Sequence, residues 1–380
     1  MDDTWWRSMT SVDRDQITLY SLPVDGNYIV LGPPGCGKTN VLLLRAVYLK
    51  RAGKANSRVL MFGRTLAEFV ESGARSNGKY PPDRISTFAT LAHNLYRQLT
   101  GYNLPFSRTN LSHDDKRHER LARLIEAVDA AKLNHTYYDG ILVDEVQDMW
   151  RDELALLARL TERLYVVGDS RQRIYTRNEG IQAALDLACE ERQLKFHYRL
   201  GRAICRVADR ILLPTGVAPL EKHSQYDEAR LPSSAKLHDC PSLADQFALI
   251  ADKLRVQLRA YPNQWLGIIV PVNRRLDTLE SLFEQSDLAD KVQIHREGQR
   301  EFAPDRPICV VTAHSAKGTE FRCVHLFSAE SFGRWYTREI GFTVVTRAKT
   351  AFDLYKTGTI DGSLEAALLE ERVPDAEEVF

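Results

Sequence analysis

Residues 32–39 read Gly-Pro-Pro-Gly-Cys-Gly-Lys-Thr, which is the spacing G-x-x-x-x-G-K-T. The glycines at positions 32, 35 and 37 allow backbone N–H groups to converge on phosphate oxygens. Lys38 has the reach to contact β and γ phosphates, and the hydroxyl of Thr39 is a ligand for Mg²⁺. This segment therefore predicts a phosphate-binding loop, with nucleotide contacts from Gly32, Gly35, Gly37, Lys38 and Thr39.

The flanks of this loop support the same interpretation. An apolar run at 28–31 precedes it, and an apolar helical pattern begins at 41–44. Strand, glycine-rich loop and helix thus follow one another in the order that places phosphate at a helix N-terminus.

A second group of chemically capable residues ends another apolar run. Residues 138–148 read Tyr-Asp-Gly-Ile-Leu-Val-Asp-Glu-Val-Gln-Asp. Downstream of a phosphate loop, Asp144 is placed to hold Mg²⁺, and Glu145 is placed to polarise an attacking water. The string therefore predicts residues for triphosphate hydrolysis rather than a surface acidic turn after a strand.

A third polar string follows the next apolar run, at residues 166–175. The polar end of a neighbouring strand would face the γ-phosphate, where Gln172 could sense it. Tyr175 fits two interpretations, a ring that stacks on a nucleobase or a core residue.

Length and composition limit the class of protein. The 380 residues predict two or three domains, and the 44% hydrophobic content is enough for sizeable cores. The sequence contains no run of about 18 apolar residues and opens on an acidic segment, so we expect neither a membrane span nor export. Six scattered cysteines indicate reduced thiols in a cytoplasm. Zero net charge excludes a polycationic nucleic-acid coat, although not a local basic groove.

Short apolar runs alternate with helical patterns along the chain, which predicts an α/β fold with parallel sheets and crossover helices. Several runs are rich in Val, Ile and Leu, as in strands buried on both faces. The predicted strands are 28–31, 59–62, 84–86, 140–143, 164–167, 267–270, 308–312 and 324–327.

The strings Asp-Glu-x-Gln-Asp and Gly-Asp-x-x-Gln-x-Ile-Tyr resemble motifs II and III of the UvrD/Rep-like superfamily 1 helicases. Other segments resemble further motifs of that family, in the family's order. They are Gln16, residues 63–65, Thr-Phe-Ala-Thr-Leu at 87–91, His-Tyr-Arg at 197–199, residues 312–321 and Val-Thr-Arg-Ala-Lys at 345–349.

The resemblance implies an ATP site drawn from both halves of the chain. Gln16 would read adenine, and Tyr198 would offer it a flat face. Gly318 and Glu320 would also contact nucleotide, with Glu320 on the ribose hydroxyls.

Two arginines complete the implied catalytic set. Arg199 and Arg347 are fixed positive forks that could neutralise charge on the γ-phosphate, an effect worth about 10³–10⁵ in turnover. With Lys38, Glu145 and Gln172 they form the predicted catalytic group. Because both arginines lie in the second half of the chain, ATP and Mg²⁺ are expected in a cleft between two domains.

The resemblance also implies a track for single-stranded nucleic acid. Threonine hydroxyls would hold phosphates, and aromatic rings would stack on bases at about 1–3 kcal/mol each. Phe88 is open to a second interpretation as a core residue, and His314 is predicted to relay between track and ATP rather than to bind metal. The implied track residues are Arg64, Thr65, Thr87, Phe88, Tyr175, Thr312 and His314.

The sequence departs from the larger family members in two respects. Arg177 stands where their motif III carries an aromatic. Their large accessory subdomains also have little room here, because the helical insertion at about 89–136 holds only two helices, near 89–99 and 115–131. The residues between 273 and 308 leave room for one helix and one strand. The cations Lys116, Arg117, Arg120 and Arg123 predict either a basic face or an ordinary solvated surface.

We therefore expect two RecA-like α/β domains, 1–195 and 196–380, the second with an acidic, weakly packed tail. The predicted function is ATP-dependent translocation on single-stranded DNA, with 3′→5′ polarity implied by the resemblance and RNA not excluded. A protein partner subunit, in repair or phage defence, would compensate for the missing subdomains. The alternatives are a non-motor ATPase switch that binds a partner protein and, more distantly, a small-molecule kinase.

Overall fold

The computed structural model describes residues 12–105, 112–171, 179–296, 303 and 305–369. These residues form two compact units. One unit contains 12–32 and the described part of 37–194, and the other contains 33–36 and the described part of 195–380.

The first unit is built on one sheet of six parallel strands, in the order β3-β2-β4-β5-β1-β6. Its strands are β1 (Tyr28–Leu31), β2 (Ser57–Met61), β3 (Ile85–Thr87), β4 (Gly140–Val143), β5 (Leu164–Gly168) and β6 (Glu190–Gln193). Its helices are α1 (Arg14–Tyr20), α2 (Lys38–Arg51), α3 (Arg64–Asn77), α4 (Phe88–Thr100), α5 (His113–Ala130), α6 (Arg151–Arg159) and α7 (Gly180–Asp186).

The second unit has its own sheet of six parallel strands, in the order β7-β12-β11-β8-β10-β9. Its strands are β7 (Ser234–Asp239), β8 (Leu266–Val270), β9 (Val292–Ile294), β10 (Ile308–Thr312), β11 (Phe321–Leu326) and β12 (Ala348–Lys356). Its helices are α8 (Arg202–Ile211), α9 (Leu243–Ala260), α10 (Arg274–Glu284), α11 (Arg338–Val345) and α12 (Gly362–Leu369).

The predicted α/β fold is confirmed, since two sheets of six parallel strands with helices are the architecture of two RecA-like domains. Three strands match their predicted bounds, and the other five predicted strands lie within three residues of them. The eight predicted ranges omit β6, β7, β9 and β12, although β9 lies between 273 and 308, where room for one strand was expected. Exposed edge strand β6 reads Glu-Glu-Arg-Gln, β7 alternates polar with apolar residues at the other sheet's edge, and β12 includes Lys349 and Asp353.

The two-helix insertion of the first unit is α4 and α5, close to the predicted bounds. Helix α5 packs Leu121, Leu124 and Val128 into the unit's core, so it belongs to the domain itself. Arg117 of α5 forms an ion pair with buried Glu153. Because of this contact, the side chain of Arg117 is not simply part of a solvated surface.

The C-terminal helix corrects one expectation. The weakly packed tail was wrong for α12, because Leu364 and Leu368 are buried and Arg210 donates to the carbonyl of Ala367 at 3.3 Å. An ion pair between Lys356 and Glu365, 3.1 Å long, holds the same helix. Residues 370–380 lie outside the described part of the chain.

Two general expectations concern cysteines and membranes. All six cysteines lie in the described ranges, where each is buried and none forms a disulfide. Among the described helices, none combines the length and apolar character that crossing a bilayer requires.

A buried guanidinium organises the N-terminal edge of the first unit. Arg45 of α2 is 1% exposed and donates to backbone carbonyls at the end of α1 and in the turn after it, at 3.3 Å for Tyr20 and 2.6 Å for Pro23. Its carbon Cζ lies 5.3–5.7 Å from the ring centres of three tyrosines, 28, 48 and 165. Carbonyl dipoles and ring faces therefore stabilise this cation and fix the turn against α2.

We predict that Arg45→Met lowers the free energy of unfolding by about 3 kcal/mol, because it leaves the buried carbonyls without their donor. Urea denaturation followed by circular dichroism measures the effect. Arg51→Gln, at the exposed end of the same helix, is the matched control. Equal midpoints for both variants would show that Arg45 does not hold the turn.

Candidate nucleotide-binding site

The glycine-rich loop joins the carboxyl end of β1 to the first residue of α2, as predicted. Gly35 and Gly37 have φ values of 78° and 87°, in the left-handed region that favours glycine. Gly37 is the N-cap of α2 and provides no side-chain cap, so the helix begins on bare backbone. Such an N-terminus attracts anions through its N–H groups and its dipole. Buried Lys38 curls back over the loop and donates to the carbonyl of Gly32 at 2.9 Å.

The acidic strand end lies beside this loop. The Thr39 hydroxyl donates to Oδ2 of Asp144 at 2.8 Å, across 105 positions of sequence. The backbone N–H of Glu145 donates to the other Asp144 oxygen at 3.0 Å. The structure thus brings together the two residues predicted to bind metal. Their hydroxyl and carboxylate oxygens are the ligand types that Mg²⁺ prefers.

Burial makes this acidic pair electrostatically unfavourable on its own. Burial, followed by the charge of Glu145, raises the pKa of Asp144 above its ordinary value, and the Thr39 hydrogen bond and Lys38 oppose that rise only in part. Glu145 also has a left-handed φ of 52°, which is costly for a residue with a side chain. A bound divalent cation would supply positive charge where two buried carboxyl groups need it.

A residue that sequence reasoning missed positions Glu145. Fully buried Gln147 donates from its side-chain amide to the Glu145 carboxylate and accepts the backbone N–H of Asp169 at 3.0 Å. A Cβ atom on Gly168 would lie 2.7 Å from the Gln147 oxygen, so glycine there permits this approach. The signal was present, since Gln147 is part of the Asp-Glu-x-Gln-Asp string.

The third polar string is described only at its start. Asp169 is buried, which raises the pKa of its carboxyl, and it accepts the backbone N–H of Arg171 at 2.9 Å. The predicted residues Gln172 and Tyr175, together with Arg177, lie outside the described residues.

Gln16 lies at the phosphate loop. It closes a capping box with Asp13 at the start of α1, with a 2.8 Å bond from the Gln16 N–H to the Asp13 carboxylate. A Cβ atom on Gly37 would be 2.5 Å from the Gln16 amide nitrogen, so a larger residue there would displace the tip of this side chain. This placement is compatible with the predicted contact to adenine.

The second unit gathers a cationic group around one carboxylate. Arg199 pairs with Glu320, and Lys349 lies 3.1 Å from the other Glu320 oxygen. Burial alone would raise the pKa of Glu320, but Arg199 and Lys349 outweigh it and lower the pKa to about 2. Lys349 was not predicted as a site residue, although it closes the motif that contains Arg347.

The other residues of the second unit that are predicted to contact nucleotide are near neighbours, in sequence, of Arg199, Glu320 and Lys349. Arg347 is buried and donates to the carbonyls of Thr343 and Thr319, at 3.0 and 3.2 Å. Gly318 has a left-handed φ of 79° in the turn before Thr319. Tyr198, next to Arg199, is 37% exposed, as a ring available for stacking must be.

The predicted strand-contact residues have mixed surroundings. The Thr87 hydroxyl caps α4 through the Thr90 N–H at 3.2 Å, and the Thr312 hydroxyl donates to Ser315 at 3.0 Å. Phe88 packs against the core of the first unit, which favours its interpretation as a core residue. The surface positions are Arg64, at the start of α3, and His314, and the side chain of Thr65 is outside the described part.

Two family models match the chain. The AAA domain model matches residues 21–178, and the model of the UvrD-like helicase C-terminal domain matches residues 307–354. No curated protein sequence matches it.

Solved structures provide remote likenesses. One is described as the structure of PRRSV helicase, with 14% identity and a TM-score of 0.41. The match covers 90% of this chain and 54% of that one, so this chain spans about half the length of that helicase. Another is the C-terminal domain of a possible DNA helicase from Lactobacillus plantarum WCFS1, with 21% identity and a TM-score of 0.33 over 45% of this chain and 93% of that one.

The two matched ranges follow one another in the same order as the helicase-like motifs. Several of these motifs lie at the ends of strands, in both sheets. These two matches, taken with the order of the motifs, support a UvrD-like superfamily 1 helicase.

Proposed function

We propose that this protein is an ATP-driven motor that moves along single-stranded DNA with 3′→5′ polarity. The observation that carries the proposal is the Thr39–Asp144 hydrogen bond, which joins the phosphate loop to the acidic strand end. A phosphate cradle, two oxygen ligands for a cation and a positioned carboxylate are the components that triphosphate hydrolysis requires.

Each residue of the first unit has a distinct role in this proposal. The N–H groups of the loop and Lys38 bind the β and γ phosphates. Thr39 and Asp144 would hold Mg²⁺, which supplies charge neutralisation at the phosphates. Glu145, held by Gln147, orients the water that attacks the γ-phosphate.

The second unit would contribute its arginines to the same reaction. We assign Arg199 and Arg347 to the γ-phosphate, Glu320 to the ribose and Tyr198 to the adenine. Glu320 already pairs with Arg199, so ribose binding at Glu320 would change the partners of that arginine. The domains would be 1–195 and 196–380, and ATP-dependent changes in their arrangement would move the strand.

We further propose that the isolated chain unwinds long duplexes poorly. Helices α4 and α5 pack into the core of the first unit, so they do not form a separate subdomain that could separate the strands at a fork. Each DNA base-pair step costs on average about 1.4 kcal/mol to open. A protein partner in DNA repair or phage defence would supply the missing element, in the cytoplasm where ATP and reduced thiols are found.

Glu145→Gln tests the catalytic assignment. The variant should bind ATP with near wild-type affinity while kcat falls by about 10²-fold or more, because the amide cannot take a proton from water. ATP binding and steady-state hydrolysis are measured side by side, with Glu162→Gln on the surface as the control. Loss of ATP binding would show instead that Glu145 is structural, and unchanged kcat would remove it from the mechanism.

Streptavidin displacement tests the motor. The wild-type chain with ATP should remove streptavidin from the 5′ end of a biotinylated single strand faster than from the 3′ end, and Lys38→Ala should do neither. On duplexes with a 3′ tail, unwinding should decline steeply with length. Strand-stimulated hydrolysis without displacement from either end would favour the non-motor switch, and displacement from the 3′ end would reverse the polarity.

A further inference from the structure

An exposed tryptophan lies on an anchored segment of the second unit. The short helical segment Ala329–Trp335 follows β11, and Trp335 at its end is 78% exposed. On either side of this ring, Phe332 is buried and Tyr336 packs so closely on Gly341 that a Cβ there would overlap its hydroxyl. The rings of Phe332 and Tyr336 also contact each other, with centroids 5.8 Å apart. The indole is therefore presented to solvent from a fixed backbone.

The start of the segment is equally well fixed. Ser328 is fully buried in the left-handed region at φ 58°, a strained position for a serine. Its N–H donates to Gln246 at 2.9 Å, and its hydroxyl donates to Glu330 at 2.6 Å. Gln246 in turn donates to Thr357 at 2.7 Å, which ties the segment to the end of β12. Strain held by a satisfied polar network is typical of functional sites.

The segment lies at the edge of the sheet where nucleic-acid contacts are predicted. Strand β8 separates β10 from β11, and both neighbours extend their pairing with it by one more bond, Ala313 to Val270 and Phe327 to Ile269. Residues 313 and 327 are therefore about 10 Å apart across one strand. Arg275 at the start of α10 donates to Ser331 at 2.9 Å and so links the loop after β8 to the segment.

Exposed cations accompany the tryptophan. Arg334 precedes Trp335, and Arg338 is the first residue of α11. Arg274 precedes Arg275, which contacts Ser331. An exposed indole with exposed arginines nearby in the sequence matches the two features of a single strand, flat bases and anionic phosphates.

We propose that Trp335 stacks on a base of the bound single strand, with nearby arginines on its phosphates. This assignment rests on the proposed function and extends its track beyond Thr312 and His314.

The test is binding of fluorescent oligo-dT measured by anisotropy, using the full chain without nucleotide. Trp335→Ala should weaken binding by about 5- to 150-fold, the range for loss of one stacked base, and Trp335→Phe should recover much of that loss. Tyr102→Ala, another exposed aromatic but in the first unit, is the matched control and should bind as wild type. Thermal melting of each variant shows that folding is retained.

An abasic scan separates stacking from a general loss of the surface. Single abasic sites are placed along the oligonucleotide. At one position, the abasic site should lower the affinity of the wild type to that of Trp335→Ala, and it should leave the affinity of the variant unchanged. If the wild type binds oligo-dT and Trp335→Ala binds it with the same affinity, the inference is overturned and a protein partner on this surface is favoured. No binding by wild type would instead count against the proposed function itself.

Discussion

The hydrogen bond between Thr39 and Asp144 is the constraint on which the first unit's chemistry depends. It connects the first turn of α2, which follows β1, to the end of β4. Strands β1 and β4 are not adjacent, because β5 lies between them, and the bond joins the residues that follow them into one site. A parallel sheet makes this possible, because all its strands end at the same edge. From this bond follow the position of Glu145, which donates its N–H to the same carboxylate, and the position of Gln147 behind it.

The two units carry opposite charge arrangements at the residues that we assign to one nucleotide. In the first, Asp144 and Glu145 are buried together, and burial, followed by the charge of Glu145, raises the pKa of Asp144. In the second, Arg199 and Lys349 share Glu320, whose pKa they lower. A magnesium nucleotide offers what each group requires, positive metal for the carboxylates and negative phosphate for the guanidinium groups. On this account, Mg²⁺ would offset the charge of the buried carboxyl groups in the first unit, and phosphate would compete with Glu320 for Arg199.

Much of this could be predicted from sequence because the informative signals are local. Buried parallel strands read as runs of Val, Ile and Leu, and a phosphate loop is one contiguous string. Edge strand β6 could not be found this way, since its exposed face carries Glu and Arg. The function of Gln147 depends on its contact with Asp169, a residue on another strand end, and spacing along the chain does not reveal such contacts. Packing of α12 likewise depends on α8, which lies about 150 residues earlier.

Metal-dependent nucleotide binding by Thr39→Val tests the central claim most directly. Valine keeps the shape of threonine but removes the hydroxyl that contacts Asp144 and is expected to bind Mg²⁺. Calorimetric titration with ATP is compared with and without Mg²⁺ in wild type and variant. The account predicts that Mg²⁺ strengthens ATP binding by the wild type and that the variant loses most of this enhancement, while its metal-free binding changes little. Equal enhancement by Mg²⁺ in both proteins would contradict the joined loop and acidic strand end as the site of catalysis.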